Sequence, residues 1–186
     1  SEMCGNGIRC VAKYVYDKGL TDREDITIVS AGKIKYLKLT VEGRTATDRG
    51  HVTMVQVNMG QPVLAPMEVP VIAEATQQTS VGPAVVDAPI TVDGEEYRMT
   101  CVSMGNPHAV VFIDRSPREF PLEQVGPLFE HHPCFPDRTN TEFAFVQDRQ
   151  NIEMRVWERG SGETLACGTG ACATAVAAIL GGYVCL

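Results

Sequence analysis

Two copies of one short pattern stand out for chemistry: Cys4-Gly5-Asn6-Gly7 and Cys167-Gly168-Thr169-Gly170. Each stands at the opening of a stretch with helical patterning. A cysteine at a helix N-terminus meets unpaired backbone N–H groups and the positive end of the helix dipole. Both favour thiolate over thiol, so the expectation is a thiol pKa below the usual value of about 8.5. The glycines permit a tight turn and close approach of a ligand to the backbone. The same N–H groups can receive a carboxylate.

Two such helix ends facing one another would supply a thiolate base, a thiol acid and donors for a shared carboxylate. Inverting an amino-acid α-carbon asks for that set, because a proton leaves one face and another arrives on the opposite face. Without a pyridoxal electron sink, the charge that moves onto the carboxylate must be held by preorganised donors. Cysteines serving one carbon in this way would also be expected to join under mild oxidation, Cys4 to Cys167. A single cysteine at a helix start is usually a small buried residue; the doubling is what favours function. Cys10 and Cys172 lie deeper in the helices and read as core. Cys101, Cys134 and Cys185 carry no catalytic signal. Metal binding fails on spacing, since Cys4 and Cys10 make no Cys-x-x-Cys knuckle and His131-His132-Pro133-Cys134 lacks a second pair.

The elements that must position these residues follow from periodicity. Residues 5 to 18 read as a helix with Ile8, Val11, Ala12 and Val15 on one face and Gly19 as its C-terminal cap. Strand-like runs follow at 26–30, 33–41 and 52–59. Residues 61 to 90 hold five prolines and read as irregular connection with short strands. Asp93-Gly94 signals a hairpin between 90–92 and 97–103. Further strands are expected at 109–113, 141–147 and 151–158, with a short helix over 121–131. Residues 168 to 180 are Ala/Thr-rich and apolar nearly all round, which predicts a helix buried on every side and ended by Gly181-Gly182. Many short strands around two sizeable helices make the class α+β. The two cysteine patterns lie 163 positions apart (167 − 4), a separation suited to two halves of a duplicated architecture.

Bulk properties narrow the field. Of 186 residues 44% are hydrophobic and 21% charged, with a formal net charge of −7, which argues against a nucleic-acid or anionic-membrane surface. The longest apolar stretch, residues 173 to 180, is too short to span a bilayer. No export signal is visible. Seven cysteines without regular spacing suit a reducing cytoplasm better than a secreted disulfide scaffold. The chain opens with a motif already under way and stops just after a helix pattern ends, which points to an internal segment of a longer protein.

Met3-Cys4-Gly5-Asn6-Gly7 with Arg9-Cys10, and Ala166-Cys167-Gly168-Thr169-Gly170-Ala171, resemble the two catalytic motifs of the diaminopimelate epimerase family. Three further pieces agree in order: Gly105-Asn106-Pro107-His108; Arg138-Thr139-Asn140 with Glu142-Phe143; and Glu158-Arg159-Gly160 leading into Gly162-Glu163-Thr164. The resemblance spans essentially the whole chain, with residues 61–90 matching loosely. It implies a fold of two pseudo-symmetric halves, each a curled β-sheet around a central helix. Residues 1–50 would be the C-terminal part of the first half-domain and 51–186 most of the second, so the first half is incomplete. The implied activity is a cofactor-independent, two-cysteine epimerisation of LL- and meso-diaminopimelate in lysine and peptidoglycan-precursor biosynthesis, in the cytoplasm. A homodimer is expected for the full-length protein.

The resemblance also implies roles. Cys4 and Cys167 would be the acid/base pair. Gly5, Asn6, Gly168 and Thr169 would bind the carboxylate at the reacting centre. His108 would help move a proton to or from the first cysteine, and Glu158 would stand near the second and the substrate's far amino group. Arg159 would grip the distal carboxylate with its planar fork, and Asn106 and Asn140 would hold the distal amino-acid end. Taken alone, each reads as an ordinary loop or turn residue, and Glu158-Arg159 as a solvated pair at a strand end; the register with the cysteine motifs reverses that. Proline racemase or hydroxyproline epimerase is the nearest alternative, but its first motif usually has His after Cys-Gly, where this chain has Asn6. A non-catalytic ligand-binding relative would be expected to have lost one cysteine. A thiol redox protein would want a Cys-x-x-Cys pair, which is absent.

Overall fold

A computed structural model describes residues 5–30 and 32–184, and Cys4 and Cys185 therefore lie outside the described residues. The chain forms two compact units, Ser1–Gly60 and Gln61–Leu186. The division falls ten residues beyond the expected boundary at 50/51. The reason is that the strand starting at His51 pairs with its predecessor and so belongs to the first unit.

In the first unit, helix α1 (Gly5–Asp17) packs on an antiparallel meander of β1 (Asp25–Ser30), β2 (Lys33–Glu42) and β3 (His51–Val57). The core joins Ile8, Ala12 and Tyr16 of α1 to Leu37, Leu39 and Val52 of the sheet. The buried stripe therefore runs at i, i+4, i+8, and Val11 is exposed, contrary to the expected face. Cys10 is exposed as well, not core, because it points away from that stripe. Gly19, with φ +72°, ends α1. Its N–H donates to Tyr16 O at 2.9 Å and the Leu20 N–H to Val15 O at 2.9 Å, the bond pair of a Schellman cap. The Arg49 guanidinium reaches across to donate to Tyr16 O at 2.8 Å, which ties the helix end to the loop before β3.

The second unit begins with the small hairpin β4 (Gln77–Thr79) and β5 (Gly82–Ala84). A six-stranded sheet follows: β6 (Ala88–Val92), β7 (Glu95–Ser103), β8 (Pro107–Phe112), β9 (Asn140–Val146), β10 (Ile152–Glu158) and β11 (Gly162–Thr164), in spatial order β11-β10-β9-β8-β7-β6. Asp93 (φ 51°) and Gly94 (φ 83°) turn β6 into β7, as the dipeptide predicted. Every neighbouring pair is antiparallel except β8 and β9. A parallel pair needs a crossover, which the segment between them supplies with a 3-10 turn at Pro117–Glu119 and helix α2 (Leu122–Glu130).

Strand alternation divides the residues of this sheet between two faces. Met99, Cys101, Ala109, Val111 and Phe143 pack with Leu122 and Phe129 of α2 in the main apolar core. Gly126 of α2 lies so close to the Trp157 indole that a Cβ there would stand 2.5 Å from Cδ2. The opposite face carries His108, Asn140, Glu142 and Val156, and helix α3 (Gly168–Leu180) contacts β7, β8 and β9 there. Its buried residues are Thr169, Gly170, Ala173, Thr174, Ala177 and Ala178, all small, which lets the helix approach closely. Ala171, Ala175 and Ile179 on its other side are exposed, so α3 is buried on one face within this unit rather than all round. No described helix is long and apolar enough to cross a membrane.

Candidate active site

Cys167 is the N-cap of α3, with extended backbone (φ −122°, ψ 106°), and its sulfur accepts the Gly170 N–H at 3.3 Å. The β10–β11 hairpin delivers the chain to this point, and the small residues of α3 hold the helix against the sheet. The Thr169 hydroxyl lies 3.4 Å from the sulfur. Cys167 is 8% exposed, and that burial dominates its titration. Burial pushes the thiol up to about 11, although the Thr169 and Gly170 hydrogen bonds pull it down; the carboxylates of Glu142 and Glu158 add to the rise. The expected depression at a helix start is therefore not found: removing the sulfur from water outweighs two hydrogen bonds.

Behind Thr169 lies a chain of buried polar side chains. Asn106 Nδ2 donates to Thr169 Oγ1 at 3.2 Å. Asn106 Oδ1 stands 3.1 Å from His108 Nε2, and His108 Nδ1 stands 2.7 Å from Glu142 Oε1. His108 and Glu142 are wholly shielded from solvent. The parallel register of β8 and β9 sets this pair up, matching His108 to Asn140 and Val110 to Glu142, so that all four residues share the α3 face. Gly170 completes the fit, since a Cβ there would stand 2.5 Å from Glu142 Oε1.

At the edge of the site, β10 ends in Glu158, which accepts a hydrogen bond from the Thr164 hydroxyl. Asn140 ties two segments together, donating from Nδ2 to Pro107 O at 3.1 Å and accepting the Arg159 N–H on Oδ1 at 2.9 Å. The Arg159 guanidinium donates to Asp137 O at 2.6 Å. Beneath this corner sits Glu130 of α2, 4% exposed. It accepts Trp157 Nε1–H at 2.8 Å, Gly160 N–H at 2.8 Å and Arg138 Nη1–H at 3.1 Å. Burial alone would raise this carboxyl; the bonds from Trp157 and Gly160 and the charges of His131 and Arg138 outweigh it and hold the group below the usual glutamate range.

The second unit thus gathers Asn106, His108, Asn140, Glu158, Arg159, Cys167, Gly168 and Thr169. Gly5 and Asn6 open α1 in the first unit, where Gly5 is buried and the Arg9 guanidinium donates to Asn6 Oδ1. Sequence reasoning assigned no role to Glu142 or Glu130. The signal for Glu142 was its place beside Asn140 in a matching motif; Glu130 had none. Among the described residues no group of three or more His, Cys, Asp or Glu is placed to hold a metal ion.

The family described as diaminopimelate epimerase matches residues 100–184. Over 180 residues the chain is 54% identical to a protein of Agathobacter rectalis named diaminopimelate epimerase, covering 97% of this chain and 61% of that one. It is 51% identical over 184 residues to the Methanococcus maripaludis protein of the same name, covering 99% and 61%. The chain thus spans about three fifths of the length of these curated relatives. Among solved structures, a hydroxyproline epimerase from Agrobacterium vitis with bound trans-4-hydroxy-L-proline matches with a TM-score of 0.64 at 15% identity, over all of this chain and 54% of that one; the likeness is one of α+β fold. About half of its residues are identical to those of the curated relatives along nearly its whole length, and residues 100–184 carry the match to the family described as diaminopimelate epimerase.

Proposed function

We propose that the full-length protein is an isomerase that interconverts LL- and meso-diaminopimelate by proton transfer at the α-carbon between two cysteines, Cys4 and Cys167. The observation that carries this reading is the setting of Cys167, a buried thiol capping a helix, with carboxylate-binding N–H groups beside it. A thiol near 11 is the protonated partner at neutral pH, so Cys167 is the resident acid. Its conjugate thiolate is correspondingly a strong base for the return reaction. In one direction the Cys4 thiolate takes the α-proton from one face as the Cys167 thiol gives its own to the other; the cysteines exchange protonation states, and the reverse direction restores them.

The backbone N–H groups at the start of α3, those of Gly168 and Thr169 among them, are donors for the carboxylate on which charge develops. Gly168 leaves room for it, and Gly5 and Asn6 do the same at α1. Arg159 pairs with the distal carboxylate, Glu158 with the distal ammonium, and Asn106 and Asn140 hold that end. The chemistry asks for no cofactor and no metal. Residues up to about 60 form part of one half-domain and the remainder most of the other. The enzyme works in the cytoplasm as a homodimer. The test is deuterium uptake at the α-carbon of meso- or LL-diaminopimelate in heavy water by the full-length enzyme, with 4-hydroxyproline as the competing substrate. Uptake into diaminopimelate supports the reading; uptake into hydroxyproline alone, or into neither, overturns it.

A further inference from the structure

Glu142 is wholly shut from solvent, and the proposed reaction gives it nothing to do. Burying a carboxyl group is unfavourable unless its bonds offset the loss of water. Here only Oε1 is bonded, to His108; Oε2 has no hydrogen-bond partner among the described residues. Helix α3 nevertheless makes room for it, with glycine at 170 where any side chain would strike Oε1. A group kept at such cost and aimed at the start of the Cys167 helix calls for a role.

The direction of the bonds from Glu142 to the sulfur follows from atom types. Asn106 Oδ1 can only accept, so the His108 Nε2 that faces it at 3.1 Å carries the hydrogen. Asn106 Nδ2 can only donate, so Thr169 Oγ1 accepts there at 3.2 Å and its own hydrogen is left for Cys167 Sγ at 3.4 Å. Turning the Asn106 amide over would reverse the whole chain. Asn106 would then donate to a bare Nε2, and its carbonyl would draw the Thr169 hydrogen away from the sulfur. Asn106 itself has no preference between the two senses. A hydrogen on Nε2 sets the choice, and it requires two protons on the His108–Glu142 pair, one on Nε2 and one between Nδ1 and Oε1; a carboxyl at 142 can carry the second.

We propose that Glu142 is a positioning residue for Cys167: it keeps a hydrogen on His108 Nε2, and through Asn106 that hydrogen points the Thr169 hydroxyl at the sulfur. The inference rests on reading Cys167 as an acid/base residue. Its effect is to give the sulfur two donors, Gly170 N–H and Thr169 O–H, when its own proton has gone to carbon.

Two measurements test it. In histidine-labelled protein, the nitrogen-15 shifts of His108 should show a protonated Nε2; a bare Nε2 overturns the proposal without recourse to any variant. The second is the rate of Cys167 alkylation by iodoacetamide against pH, resolved by peptide mass spectrometry, for Glu142→Gln alone and in a Thr169→Val background. If Glu142 acts through Thr169, the effect of Glu142→Gln at fixed pH should differ between the two backgrounds by at least about threefold in rate. Equal effects would mean that Glu142 acts on the sulfur by charge alone, and would overturn it. Deuterium uptake separates the two readings. Uptake with equal effects leaves the function standing and removes this role; unequal effects without uptake do the reverse.

Discussion

Glu130 Oε1 accepts the Gly160 N–H at 2.8 Å, so a buried carboxylate of α2 closes the turn that carries Arg159. The Trp157 indole N–H bonds its other oxygen at 2.8 Å, and Glu158-Arg159 is thereby pinned on both sides. Removing the carboxylate leaves the donors of Trp157, Gly160 and Arg138 without this acceptor in a part-buried corner. Glu130→Ala is expected to lower the unfolding free energy by about 3 kcal/mol, at the upper range for bonds to a charged acceptor. Urea denaturation measures it, and a loss below about 1 kcal/mol would mean the corner is held by packing instead.

The same residue predicts a pH dependence. Glu130 is depressed in the folded state relative to its ordinary value of 4.5, so between the two values the unfolded chain binds more protons. Its contribution to stability is therefore present above the ordinary value and is lost as pH falls through the folded one. Below about pH 4.5 the native chain should lose stability more steeply than Glu130→Gln does. Parallel curves for the two proteins would remove Glu130 from the acid response.

Thiol reactivity should rank the cysteines in an order opposite to that expected from helix position alone. Cys167 is buried and raised to about 11, whereas Cys10 is exposed. Iodoacetamide at pH 7.5 should label Cys10 well before Cys167, with Cys167 labelling rising steadily toward pH 11. Faster labelling of Cys167 at neutral pH would show a resident thiolate there.

On the proposed function, Cys167→Ala in the full-length protein removes the acid of the pair, and turnover should fall by about 10²–10⁴-fold while the fold is kept. Arg159→Lys should raise KM for diaminopimelate with a smaller effect on kcat, because an ammonium does not reproduce a two-pronged grip on a carboxylate. Steady-state kinetics separate these outcomes, and wild-type values in either variant would take that residue out of the site.

Gly126→Ala tests the packing of α2. Helix propensity favours the change by about 1 kcal/mol, but the new Cβ would meet the Trp157 ring at 2.5 Å. The expected outcome is a net loss of about 1–3 kcal/mol, the usual cost of overpacking. A more stable variant would show that the indole can move aside freely.

Much of the fold was legible because its signals are local. Gly19 and Gly181-Gly182 marked the helix ends, Asp93-Gly94 marked the hairpin, and the span of α3 was read as the structure has it, residues 168–180. What escaped depends on partners distant in sequence. Val11 and Tyr16 are both apolar enough for a core, and only the position of β2 and β3 decides that Tyr16 is buried and Val11 is not. The Cys167 thiol was expected to fall because the helix end is visible in the sequence, whereas the desolvation that wins is not. Glu142 is brought to His108, 34 residues away, by a strand register that no local pattern announces. Asn106 and His108, read from a motif of their own and with His108 expected to serve the first cysteine, stand in the buried chain that leads to Thr169 beside Cys167.

The fit of Gly170 against Glu142 has a consequence for how this sequence can change over generations. Alanine at 170 would suit the helix better, yet the space its methyl needs is taken by Oε1. The two positions are therefore not free to drift separately. Lineages that keep the acid should keep glycine, and only those that first replace the acid with something shorter can accept a side chain in the helix. A cysteine motif and a strand 28 residues before it (170 − 142) should thus leave a joint signature in the variation of the family.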